Sequence, residues 1–115
     1  MAGIVKQVAG VLVGVILCIL IIMAVEMVGH RILSGDSVFM APVLAYLLAA
    51  AIGGITAIKV AGQRRWWLPG SIAAFLAFGV AVNLTALDHP AWFAPAAAVA
   101  LAIGLVTCWR LTGSR

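Results

Sequence analysis

Long apolar stretches alternate with short polar punctuation four times along this chain. The apolar runs extend from about Val8 to Gly29, Ala41 to Ala61, Leu68 to Leu87 and Ala91 to Leu111 (8-29, 41-61, 68-87, 91-111). Each is close to the roughly 20 residues a helix needs to cross a hydrocarbon core of about 30 Å. Backbone groups cannot go unpaired in lipid, so the runs are expected to be helical. The predicted fold is all-α, an integral membrane bundle of four transmembrane helices in a single domain. The punctuation agrees. Pro42 and Pro90 fall at expected first-turn positions, where a missing N–H costs nothing. Gly62 and the Gln63-Arg64-Arg65 run end the second span. Only about three residues link the third span to the fourth, which makes those helices antiparallel neighbours. The longer link after the first span carries Ser34-Gly35-Asp36-Ser37 and predicts a turn, then a short interfacial segment with Phe39 and Met40.

Composition excludes a water-soluble fold. Of 115 residues, 66% are hydrophobic and 9% charged, with a mean hydropathy of +1.26. A soluble domain carries roughly a quarter charged residues, and one of this length could not hide so much apolar surface. The N-terminal lysine and apolar run resemble a signal peptide, but the run exceeds the usual h-region of roughly 7–15 residues and no small-x-small cleavage site follows it. It is expected as a retained span. Cys18 and Cys108 lie in apolar runs at different depths, so they are expected as small buried hydrophobes rather than a disulfide.

Charge then sets an orientation. Lys6, Lys59, Arg64, Arg65, Arg110 and Arg115, six of the seven basic residues, fall at one set of span ends, and Arg31 at the other. Positively charged short loops stay in the cytoplasm, so both termini are expected inside. Trp66, Trp67 and Trp109 mark the inner interface and Trp92 with Phe93 the outer one, as an aromatic belt does. The net charge of +4 suggests nucleic acid, yet the basic residues are scattered over helix ends and form no stripe, so no nucleic-acid partner is expected. The expected partners are the bilayer and other membrane subunits or further copies of the chain.

Helices in lipid associate through small residues. Gly10 and Gly14 form a GxxxG in the first span, expected inside the bundle rather than between protomers. Ala45, Ala49, Gly53 and Ala57 form a stripe in the second, and Ala96, Ala100 and Gly104 another in the fourth.

The titratable chemistry gathers at the outer level. Glu26 lies about one turn inside the end of span one, with Tyr46, Asn83 and Thr85 at similar depth and His30, Asp88 and His89 at the interface. Glu26 and His30 are spaced i, i+4 and share a helix face, a pairing suited to holding and releasing a proton near neutral pH. Glu26, His30 and His89, with Asp88, also offer N and O ligands for zinc, iron or copper, and two histidines at one depth are a means of clasping haem. Plainer roles stand beside these: Glu26 paired with His30 or Arg31, Asp88 as the N-cap of span four, His89 as an interfacial turn residue, Asn83 as an interhelical hydrogen-bond donor and Tyr46 as packing with a wet hydroxyl.

Glu26-Met27-Val28-Gly29-His30 reads E-x-x-G-H, and His89-Pro90-Ala91-Trp92-Phe93 reads H-P-x-W-F, with Asn83-Leu84 upstream of it and Gly53-Gly54 in the second span. Across most of its length the chain thus resembles a group of small, uncharacterised four-span bacterial membrane proteins. The resemblance implies an inner-membrane location and a shared site of Glu26, His30, Asn83 and His89, and supplies no substrate. The leading functional expectation is a non-catalytic membrane subunit, accessory or oligomer-forming. The second is a small transporter or channel in which Glu26 carries a proton or coordinates a cation; length and a single embedded glutamate are similar to small multidrug resistance exporters, which however place that glutamate early in span one and need a weak charge bias for dual topology. A metal- or haem-binding protein follows. A membrane enzyme ranks last, because few polar residues remain to bind a polar substrate.

Overall fold

The computed structural model describes residues 2–86 and 89–113. Four helices carry the chain: α1 (Ala2–Ile32), α2 (Met40–Ala61), α3 (Trp67–Ala86) and α4 (Phe93–Gly113). All four are long and apolar enough to cross a membrane. Among the described residues there is no strand. The bundle measures 48 × 24 × 23 Å, its long axis matching the ~1.5 Å per residue rise of α1. α1 overshoots the expected first span at both ends, because neither Lys6-Gln7 nor Gly29 interrupts the backbone bonding of a helix already nucleated by the apolar run.

Local chemistry explains the boundaries. α2 ends at Gly62, whose φ of 72° places it in the left-handed region and whose N–H donates to the Ile58 carbonyl. The expected turn after α1 is a 3-10 segment, Gly35–Phe39, in which the Ser37 hydroxyl donates to the Ser34 carbonyl and accepts from the Ser34 N–H at 3.3 Å. Met40 starts α2 instead of belonging to that segment. Prolines sit at the third residue of α2, α3 and α4: Pro42, Pro69 and Pro95. The first four N–H groups of a helix have no intrahelical partner, so proline there forfeits no bond. Pro90 does not take that place. It precedes α4, and its carbonyl accepts from Phe93 N–H at 3.0 Å in the turn that leads into the helix. The N-capping expected of Asp88, the end of span three at Leu87 and the charge of Arg115 lie outside the described residues.

α2 is the centre of the molecule and packs against α1, α3 and α4. It is buried on two faces. The expected stripe Ala45, Ala49, Gly53, Ala57 is one, and Tyr46, Ala50, Gly54, Ile58 and Ala61 form the second. The first receives α1: a Cβ on Gly14 would fall 2.8 Å from the Gly53 carbonyl oxygen, so the GxxxG serves close packing within the chain. The second receives α4, where a Cβ on Gly104 would fall 2.6 Å from the Leu47 carbonyl oxygen. The α4 stripe is Phe93, Ala97, Ala100, Gly104 and Cys108, with Ala97 buried in place of the half-buried Ala96. Gly53 and Gly54 divide the work. Neighbours on a helix point about 100° apart, so one opens a seat for the Cys18 sulfur of α1 and the other for the Cys108 sulfur of α4. Both cysteines are free and fully buried, as expected, but they do not lie at different depths: they meet α2 at adjacent residues, held apart by its backbone. The Cys18 thiol donates to the Ala49 carbonyl at 3.3 Å.

The outside is as apolar as the core. Leu12, Ile16, Leu20, Met23, Phe78, Val99 and Val106 all expose large hydrophobic side chains. The alternation of ends separates the chemistry: Lys6, Lys59, Arg64, Arg65 and Arg110 gather at one end of the bundle and Glu26 with His30 at the other.

Candidate functional site

At the acidic end, three helices bring three polar side chains to one level. α1 supplies Glu26, half-buried; α2 supplies Tyr46, 2% exposed; α3 supplies Asn83, half-buried. The Asn83 amide donates to the Tyr46 hydroxyl at 2.5 Å, bridging α3 to α2. A buried phenol needs such a partner, because an unsatisfied hydroxyl away from water costs roughly 1–3 kcal/mol. Glu26 lies within electrostatic range of Tyr46 and of His30. The three residues line a groove of about 350 Å³ that opens sideways between α1 and α3, its lips formed by Ile19, Met23, Phe75, Phe78 and Val82. The groove follows from helix order. α1 and α3 both rest on α2 and meet each other along a thinner seam than either makes with it. Gly79, with no atom near the position a Cβ would take, widens the seam further.

The expected layer is thereby narrowed. Glu26, Tyr46 and Asn83 converge, as their depths predict. His30 is exposed in the last turn of α1 and is not part of the groove lining. His89 stands at the start of the α4 turn with its ring 6.0 Å from Phe93, which in turn meets Phe39 edge-to-face at 5.2 Å. The Thr85 hydroxyl turns back to the Val82 carbonyl on its own helix at 3.0 Å. Asp88 lies outside the described residues. The ligand set expected of Glu26, His30 and His89 does not assemble: among the described residues no three His, Cys, Asp or Glu side chains stand close enough to share a metal ion. The physical reason is placement, with His30 at a helix end on α1 and His89 directed at the aromatic start of α4.

The basic end holds an arrangement that charge counting does not reveal. Gln7, only 8% exposed, accepts from the Trp67 indole N–H at 2.7 Å and donates to Gln63 Oε1 at 3.1 Å, which also receives Arg65 Nε at 2.9 Å. This chain of polar groups ties α1 to the α2–α3 link. Arg64 lies across the Trp109 ring, 3.6 Å from its centroid, and donates to the Trp109 carbonyl at 2.9 Å. A glutamine one residue from the sole lysine of α1, amid small and apolar neighbours, was the available signal.

No family model matches the chain, and no curated protein or solved structure matches it.

Proposed function

We propose that the chain is a multi-pass protein of the bacterial inner membrane, with both termini cytoplasmic, acting as a non-catalytic membrane subunit that joins partner subunits or further copies of itself through the Glu26–Tyr46–Asn83 groove. The observation that carries this reading is the groove itself: a carboxylate and a bridged amide–phenol pair presented sideways, between apolar lips, to whatever packs beside α1 and α3. In lipid a carboxyl group at that position gains from a hydrogen-bonding partner on an adjacent helix, because hydrocarbon offers none. The apolar exterior and the six-to-one bias of basic residues support membrane residence and the orientation. α2 occupies the middle of the bundle, which speaks against a pore within one chain.

The test is isolation in mild detergent. The account expects a fixed-stoichiometry assembly that survives Glu26→Gln, which keeps size and hydrogen bonding, and dissociates in Glu26→Leu. A monodisperse single chain, unchanged by either substitution, overturns it. A second reading, proton- or cation-linked transport through Glu26, draws on the same carboxylate, which shares the groove lining with the Tyr46 phenol. It adds a forecast for Glu26→Gln that the subunit reading does not make: flux into liposomes disappears while the assembly stays.

A further inference from the structure

At the basic end, the α2–α3 link, α3 and α4 line two open recesses that share a wall. One, of about 570 Å³, is lined by Gln63, Arg64, Arg65 and the indoles of Trp66, Trp67 and Trp109. The other, of about 530 Å³, runs down the α3–α4 seam over Gly70, Ala73, Leu105 and Val106, with Arg110 at its rim. Trp66 and Trp109 belong to both. A cationic recess thus continues into an apolar channel along the long axis of the bundle.

No Asp or Glu side chain balances its charge. The sequence has no Asp or Glu from 37 to 87 or from 89 to 115, so the segments that build this end bring none. Helix dipoles do not supply the balance, since the antiparallel order sets the starts of α1 and α3 beside the ends of α2 and α4. The guanidinium groups are also held in place. Arg64 is fixed on the Trp109 ring and carbonyl, and Arg65 on Gln63, which leaves further N–H donors of both forks to turn toward an anion.

We infer that this paired recess is a binding site for an anionic phospholipid of the leaflet at the basic end, its phosphate received by Arg64, Arg65 and Arg110 and one acyl chain laid in the α3–α4 groove between Trp66 and Trp109. The chemistry requires both halves: a free anion has no use for the apolar groove, and a zwitterionic lipid gains little from three arginines without a carboxylate. The inference rests on the membrane reading above and is independent of the Glu26 groove.

The experiment is native mass spectrometry of the detergent-purified protein titrated with dioleoylphosphatidylglycerol or dioleoylphosphatidylcholine. Phosphatidylglycerol is expected to be retained in preference, with Arg65→Gln and Arg110→Gln each lowering retention about fivefold. Both side chains are exposed, so the variants keep the fold, which unchanged thermal unfolding verifies. Millimolar inorganic phosphate leaves the complex intact. Equal retention of the two lipids, displacement by phosphate, or undiminished retention in the double variant overturns the site. Carbonate extraction of the source membranes separates the two layers of the inference. Release of the protein into the supernatant refutes membrane residence, whereas retention in the pellet without lipid selectivity refutes the site alone.

Discussion

The clearest residue-scale feature is the pair of glycines that seats the two sulfurs. A Cβ on Gly53 would stand 2.6 Å from Cys18 Sγ, and one on Gly54 2.6 Å from Cys108 Sγ, both inside hard-sphere limits. Gly53→Ala and Gly54→Ala are therefore each expected to destabilise the fold by about 1–3 kcal/mol, as overpacking of a dense interior does. Gly79→Ala, with open space around it, is expected to be neutral. Adding Cys18→Ala to Gly53→Ala removes the clashing atom and is expected to return part of the loss. Thermal unfolding in detergent across that double-mutant cycle measures the coupling; simple additivity would show that the sulfur is not what the glycine accommodates. At the polar level, Asn83→Leu severs the bridge from α3 to α2. The expected cost is about 0.6 kcal/mol and no more than about 1.7, the range for interhelical hydrogen bonds in membranes.

At the scale of elements, the number, order and approximate extent of the helices were legible in the sequence because apolar run length and punctuation act locally. So were the α2 stripe and the inward GxxxG. What escaped was orientation between elements. That Gly53 and Gly54 serve different neighbours, that Ala97 rather than Ala96 faces inward, and that His89 meets Phe93 rather than Glu26 all depend on how α4 rotates about α2, and in uniformly apolar helices no amphipathic stripe announces that rotation. The proline reading missed for a related reason: Pro90 and Pro95 both precede or enter α4, and only the backbone distinguishes the turn from the first helical turn. The Gln7 network gives this scale its own prediction. Gln7→Leu leaves the Trp67 indole N–H without its acceptor and removes one of the two donors to Gln63 Oε1, so α1 should loosen at its N-terminal end. Amide exchange of residues 4–12 is expected to accelerate while the Ala49–Ala57 core keeps its protection; protection lost uniformly, or nowhere, would contradict a local tie.

For the molecule as a whole, one bias organises both ends: arginines and tryptophans at one, a carboxylate groove at the other. The bias predicts a single orientation in the membrane. In a Cys18→Ala, Cys108→Ala background, Ser34→Cys is expected to react with a membrane-impermeant thiol reagent added outside intact cells, and Gln63→Cys only after permeabilisation. Equal labelling of both would indicate dual topology and remove the leaflet assignments. The central claim, that the Glu26–Tyr46–Asn83 groove is an assembly surface, is tested most directly by a photo-crosslinking side chain placed at Phe78 on the groove lip, with Leu12 on another outward-facing surface as control. In native membranes the account predicts one protein adduct of fixed mass from position 78, retained in Glu26→Gln and lost in Glu26→Leu. Lipid adducts alone, or equal yields at 78 and 12 that Glu26→Leu does not change, would contradict it.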